Sequence, residues 1–286
     1  MSYIGRFAPS PTGPLHEGSL LTALASYLDA KHHQGRWLLR IEDLDTPRCH
    51  RTHETSILSA LEAYGFEWYG TVTRQSERID LYEQVYHDLL KAKHAYWCDC
   101  SRSDLKQRQA LDHYDRRCLN RFSVTQPAAL RFKVDQCRSF DDRLLGHQPC
   151  QKEALGDFIL YRRDQIVAYQ LAVVVDDYQQ NINHIVRGRD LLYETEKQSA
   201  LQLTLGYPMI RYAHLPLVLA KDGQKLSKQT FATPLTTEKQ GVTDNLHTAL
   251  QRLGQLESGQ FISHNPCEIM SHAIKVWDIN KIPKTV

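Results

Sequence analysis

Apolar and polar positions alternate with two different periods along the chain, and the switch between them marks out its elements. "YIGRFA" is a short apolar-rich run that predicts a strand, broken into a loop by Pro9, Pro11 and Gly13. Leu20, Leu24, Tyr27 and Leu28 then recur on one helical face, predicting a helix from about Gly18 to about Gln34 that Gly35 stops. "RWLLRIE" predicts the next strand and "DLDTPR" a charged turn after it. Ile57, Leu58 and Leu61 mark a second helix closing at Gly65, and Leu81, Val85 and Leu89 a third from about Arg78 to Lys93. Strand and helix alternating at this rhythm predict an α/β fold with a parallel sheet.

From Ala95 the texture changes. "AYWCDCSRSDLKQRQALDHYDRRC" gathers charges and three cysteines, and "ALRFKV" alternates as a half-buried strand does. "DFILYRRDQIVAYQLAVVV" reads as two strands joined by the turn "RRDQ". "HIVRGRDLLYETEKQSALQLTL" returns to strand then helix, and "HLPLVLAKDGQKLSKQ" to a strand, a tight "KDGQ" turn and a lysine loop. After Thr230 the chain reads as mostly helical, with Leu246, Ala249, Leu250 and Leu253 on one face. The expected division is a first catalytic half at 1–96, an insertion at 97–175, a second half at 176–230 and a short helical region at 231–286.

Composition narrows the class. At 286 residues, 42% apolar and 24% charged, the chain is an ordinary globular one. A net charge of +2 permits nucleic-acid binding without arguing for it. No secretory pattern opens the chain, and runs such as "LAVVV" are far too short to span a bilayer, so a cytoplasmic protein without a membrane partner is expected. No heptad or exposed apolar stripe stands out, and a monomer is expected. Seven irregularly spaced cysteines fit free thiols or a metal site better than a disulfide framework.

Three stretches bear chemistry. A Gly-containing loop between a first strand and a helix suits phosphate: Gly13 and Gly18 admit close backbone approach, and His16 can donate to a phosphate oxygen. Lys225 and Lys228 of "KLSK" can neutralise charge developing on a leaving pyrophosphate. Cys98, Cys100 and Cys118 lie in one segment and suit Zn²⁺, with Tyr114 or His113 as a fourth ligand in a closed structural site. Cys49, Cys137, Cys150 and Cys267 show no grouping and read as ordinary thiols.

"HEGS" and "KLSKQ", each at a strand exit, resemble the two signature motifs of the class I aminoacyl-tRNA synthetases. "RFAPSPTGPLH", "LRIEDLD" and "IVRGRDLL" resemble the glutamyl-tRNA synthetase branch. The resemblance implies a Rossmann-like catalytic domain with a zinc-bearing insertion and a short helical C-terminal region. It implies an L-glutamate site at Arg6, Phe7, Ala8, Pro9, Ser10, Glu42, Tyr169 and Arg187. It implies an ATP site at His16, Gly18, Ser19, Lys225 and Lys228, with Mg²⁺ on the phosphates and His16 and Lys228 as catalytic residues. Physically, Arg6 and Arg187 suit the side-chain carboxylate, Glu42 the α-amino group, and Tyr169 the closing wall.

Residues 230–286 are too few to build the large anticodon-reading domain of a full glutamyl-tRNA synthetase. The chain therefore resembles the truncated paralogue family of that branch. Its members activate glutamate with ATP and pass it to queuosine in the anticodon of tRNA(Asp). That family also carries a Cys-x-Cys and Tyr-x-x-x-Cys set, which implies Cys98, Cys100, Tyr114 and Cys118 as zinc ligands. The basic run Arg102, Lys106, Arg108, Arg116, Arg117 and Arg121, with Phe122, offers a surface to tRNA. Three departures stand out: Glu17 where the motif is usually apolar, Ser19 for its last His, and Arg189 for a small or acidic residue. The competing readings are a minimal synthetase charging the tRNA 3′ end, another nucleotidyltransferase of the same motif type, and a catalytically silent tRNA-binding module.

Overall fold

β1 (Ile4–Phe7) hands over through a Pro/Gly loop to α1 (Glu17–His32), which returns the chain so that β2 (Arg36–Ile41) pairs parallel with β1. The computed structural model describes residues 2–111, 113–216 and 233–284. Gly35 is required where the return begins, since a Cβ there would lie 2.4 Å from Tyr3 O. α2 (Arg51–Ala63) leads to β3 (Thr73–Arg74), parallel to β2, and α3 (Ile79–Lys91) follows. β4 (Ala95–Cys98), α4 (Arg102–Gln107) and β5 (Ala129–Phe132) begin a second, antiparallel sheet. The hairpin β6 (Phe140–Asp142) and β7 (Gly146–Gln148) and the short α5 (Lys152–Leu155) come next. β8 (Phe158–Tyr161) then completes the antiparallel sheet in the order β4-β5-β8. α6 (Tyr169–Gln179), β9 (His184–Gly188), α7 (Leu192–Leu205) and β10 (Arg211–Leu215) return to parallel pairing, and α8 (Lys239–Arg252) and α9 (Pro266–Val276) close the chain.

The second expected strand of "DFILYRRDQIVAYQLAVVV" is a helix. Only a single bridge, Tyr161 with Val167, follows β8, and "QLAVVVDD" lies in α6 with every residue from Gln170 to Asp177 buried. A helix apolar on all sides shows no amphipathic period, so its sequence looks like that of a buried strand. A second expectation also fails. Cys137 and Cys150 form a disulfide rather than standing as ordinary thiols, their Cα atoms brought to 6.1 Å by the hairpin between them. That proximity is made by the β6–β7 turn and leaves no mark in cysteine spacing.

β6 also pairs with β10, giving the order β7-β6-β10-β9. β1 sits beside β9 at the other edge: the Asn183 N–H donates to Ile4 O (3.0 Å), and the Ile4 N–H to Asn183 Oδ1 (2.8 Å). From this junction α1 carries the chain to β2 on one side and α7 carries it to β10 on the other. The strand order therefore reverses between β1 and β9, and the carboxyl ends diverge there into a crevice.

Two cores flank the crevice. One joins β1, β2, α1 and α2 to α8 and α9, where Leu246, Ala249, Leu250 and Leu253 are buried as their spacing predicts. The other joins α3, α6 and α7 to the antiparallel sheet. Among the described residues no helix is long and apolar enough to cross a membrane.

Candidate active site

The crevice is a cavity of about 410 Å³. Arg6 and Phe7 enter it from the end of β1, Ala8, Pro9 and Ser10 from the following loop, and Glu42 from the end of β2. Tyr169 comes from the first turn of α6 and Arg187 from β9. His16, Gly18 and Ser19 line it at the start of α1. Every residue expected for glutamate thus meets those expected for ATP, except Lys225 and Lys228, which lie outside the described residues.

His16 occupies the N-cap position in an extended conformation, so the first N–H groups of α1 face the cavity with the positive end of the helix dipole. Gly18 permits this closeness: a Cβ there would sit 3.2 Å from His16 Cε1. Glu17, the troubling residue of "HEGS", is not in the cavity wall. Its carboxylate pairs with Arg252 at the end of α8 (3.2 Å).

Behind the wall lies a buried charge network that the periodicity did not reveal. Arg40, wholly buried in β2, faces Asp177 (2.8 Å), Glu42 (3.6 Å) and Asp176 (3.7 Å). Asp177 also holds Arg6 through Nε (3.2 Å) and Nη2 (3.4 Å). Asp176 accepts from Gln75, Arg78 and Tyr82. An arginine inside "WLLRIE" and a pair of aspartates ending "LAVVVDD" were the signal, since charges in apolar runs must find each other. Glu42 stands at the edge of this network. Burial pushes its carboxyl up to about 7 against the pull of Arg40 and Arg6, and its Oε1 has no hydrogen-bond partner among the described residues. Burial, aided by the Glu42 carboxylate, raises the Tyr169 phenol and keeps it protonated.

Arg187 is held by a second set. Its Nε donates to His214 Nε2 (3.2 Å), and its Nη2 donates to Thr195 Oγ1 (2.6 Å) and Gln198 Oε1 (2.9 Å). Nη1 is buried with no partner among the described residues. His214 Nδ1 faces Asp142 Oδ2 at 2.6 Å. Burial, with the Arg187 charge, holds the imidazole below its ordinary value despite Asp142, so it is neutral. An acceptor-seeking guanidinium nitrogen and a carboxylate oxygen without a hydrogen bond in one cavity wall suit a zwitterion carrying a second carboxylate.

The cysteines gather as their grouping predicts. The sulfurs of Cys98, Cys100 and Cys118 lie within 4.8 Å of one another and could hold a metal ion. Tyr114 Oη sits 3.2 Å from Cys98 Sγ and 3.7 Å from Cys100 Sγ. His113 instead lies against Gly156, outside the group. Arg108 donates to Cys100 Sγ (3.3 Å), Arg121 reaches Cys118 Sγ (3.7 Å), and the Arg131 guanidinium covers the Tyr114 ring at 3.8 Å. Three members of the basic run are therefore engaged inward: Arg108 with Asp115, Arg116 with Asp157, and Arg121 with Asp99. Among the described residues Arg102, Lys106 and Arg117 form no ion pair and are exposed, and Phe122 is fully exposed.

Residues 4–272 match the family described as tRNA synthetases class I (E and Q), catalytic domain. A glutamyl-Q tRNA(Asp) synthetase of Acinetobacter baylyi is 47% identical over 285 residues, covering 99% of this chain and 94% of its own. One of Pseudomonas fluorescens is 45% identical over 288 residues, covering 100% and 95%. Among solved structures, a glutamate tRNA ligase of Elizabethkingia meningosepticum in complex with its amino acid superposes with a TM-score of 0.82 at 28% identity. The match covers this whole chain and 66% of that one.

Proposed function

We propose, on the premise that the chain belongs to the class I tRNA synthetases with the E and Q catalytic domain, and within them to the glutamyl-Q tRNA(Asp) synthetases, that it activates L-glutamate with ATP and transfers the glutamyl group to queuosine in the anticodon of tRNA(Asp). The observation that carries this reading is the meeting, in one cavity, of Arg187, Glu42 and the N-terminus of α1.

Arg187 takes the side-chain carboxylate through Nη1, with Arg6 beside it, and Glu42 takes the α-ammonium group. Phe7 to Ser10 form the wall along the amino acid, and Tyr169 closes it. This leaves the α-carboxylate aimed toward phosphates lying at Gly18 and Ser19, with His16 donating to them. No protein nucleophile is needed. A carboxylate oxygen attacks the α-phosphorus, and the bond to the leaving pyrophosphate breaks, giving glutamyl-adenylate. Lys225 and Lys228 neutralise the departing charge, and Mg²⁺, when bound, shares that task. A queuosine hydroxyl then attacks the adenylate carbonyl and AMP leaves. With ATP and tRNA as its substrates, the enzyme works in the cytoplasm.

Cys98, Cys100, Cys118 and Tyr114 would hold one structural zinc ion. Zn–S bonds of about 2.3 Å in a tetrahedron separate sulfurs by about 3.8 Å. The 3.6 Å between Cys100 and Cys118 and the Tyr114 Oη distances support that set over one using His113.

The test uses labelled glutamate, ATP, Mg²⁺ and queuosine-containing total tRNA, with the product digested to nucleosides. Label on queuosine supports the proposal. Label on the terminal adenosine replaces it with the minimal-synthetase reading, and no label with glutamate-dependent ATP–pyrophosphate exchange also absent favours the silent module.

A further inference from the structure

We propose that Asp142 and His214 are positioning residues that turn Arg187 so that one nitrogen, Nη1, is reserved for a ligand carboxylate. The inference rests on the reading of the cavity as a glutamate site and goes beyond it to what sets the preference for a carboxylate over a carboxamide.

Three neighbouring strands build the arrangement. His214 on β10 stands in register with Arg187 on β9, and β6 pairs with β10 on the other side, bringing Asp142 against His214. The row runs across the sheet, so no spacing in the sequence announces it. A guanidinium has five N–H donors. One goes to His214 and two to Thr195 and Gln198, which leaves the two on Nη1 without an acceptor among the described residues. His214 can accept from Arg187 only with its own proton on Nδ1, and Asp142 Oδ2 is placed to hold it there. The carboxylate is itself pinned, because Oδ1 accepts the N–H groups of Leu144 (2.9 Å), Leu145 (3.0 Å) and His214 (3.3 Å). A carboxylate offers acceptors only and satisfies Nη1. A carboxamide brings an NH₂ that opposes it.

Asp142→Asn tests the idea. Asn keeps the shape, and its oxygen can keep the three backbone N–H groups. Its NH₂ then faces Nδ1, so the imidazole proton moves to Nε2, where it opposes the Arg187 Nε–H and can be taken up only by Thr195 Oγ1 at 2.9 Å, itself an acceptor for Arg187 Nη2. Long-range ¹⁵N–¹H NMR of the imidazole reads this directly: the Nδ1–H tautomer in the wild type and Nε2–H in Asp142→Asn. In glutamate-dependent ATP–pyrophosphate exchange, the KM for glutamate rises about ten- to a hundredfold while that for ATP stays within about twofold. Glutamine competes better against glutamate than in the wild type. His214→Gln, whose amide oxygen can accept from Arg187, recovers part of the glutamate KM lost in His214→Leu. An Nε2–H tautomer in the wild type, an unchanged glutamate KM, or equal shifts for glutamate and ATP would overturn the proposal. If the wild type shows no exchange, the glutamate reading falls, and the tautomer measurement still decides the positioning role.

Discussion

A carboxyl pushed up to about 7 is only partly ionised in the empty cavity at neutral pH, and an arriving ammonium group changes that balance. In the proposed glutamate site Glu42 binds the α-ammonium only as the carboxylate, so binding drives its proton off. Glutamate binding near pH 7 therefore releases a fraction of a proton, and affinity falls toward tenfold per pH unit well below 7. Calorimetry in buffers of different ionisation enthalpy measures the release, and Glu42→Gln abolishes it while weakening binding. Equal heats in all buffers would count against the assignment. Glu17 behaves oppositely. Its pairing with Arg252 is part-exposed and outside the cavity, so Glu17→Gln leaves the pyrophosphate-exchange rate within about twofold of wild type. A large gain in the variant would show instead that Glu17 repels phosphate.

Asp29 does for α1 what the cavity residues do for the substrate. Fully buried, it accepts from the Tyr3 hydroxyl (2.5 Å), Arg143 Nη1 (2.5 Å) and Nη2 (3.0 Å), and Trp277 Nε1 (3.1 Å). It thereby ties the helix to the residue that leads into β1, to the β6–β7 hairpin and to the segment after α9. Burial opposes its ionisation, yet the Arg143 fork outweighs burial and holds its carboxyl below the usual carboxylate range. Asp29→Ala leaves those donors unpaired and costs about 3 kcal/mol in urea unfolding at pH 7. Because the folded-state value is depressed, that stabilisation is present above the unfolded carboxylate value near ~4 and lost as pH falls through the folded one. A gap between wild type and variant that stays constant to pH 2 would contradict this. The amphipathic helices were legible because their faces repeat, as Leu81, Val85 and Leu89 do in α3. α6 was not, being apolar all round. The cavity residues near strand ends could be read from local stretches such as "RFAPS" and "LRIEDLD". Asp142 and His214 could not, because each acts through a partner on another strand, brought close only by the sheet.

The cysteine cluster forms a small packing unit of its own, Tyr96, Cys98, Tyr114 and Cys118, apart from the two large cores. The cavity is built from β1, β2, β9, β10, α1 and α6, none of which supplies a residue to that cluster. Its links to the larger body include the β4–β5 ladder, Arg131, which covers Tyr114 and donates to Asp157 O (3.2 Å), Tyr96, whose hydroxyl donates to Asp157 Oδ2 (2.6 Å), and Arg116, which donates to Asp157 Oδ1 (2.7 Å). Metal loss should therefore loosen the segment locally, because three thiols without an ion have only weak hydrogen bonds to hold them together. With the proposed zinc in place, chelation, or Cys118→Ser, is expected to release about one zinc ion per chain and to speed amide exchange across residues 96–122. Amides of β1, α1 and α8 keep their protection, and glutamate-dependent pyrophosphate exchange stays within about threefold. Transfer to tRNA falls further, since the exposed Phe122 and the outward Arg102, Lys106 and Arg117 lie on the loosened segment. Hydrogen exchange read by mass spectrometry, run beside both assays, separates the two possibilities. Collapse of pyrophosphate exchange together with the protection of α1 would mean that the metal supports the catalytic core, and the division of labour argued from the packing would be wrong.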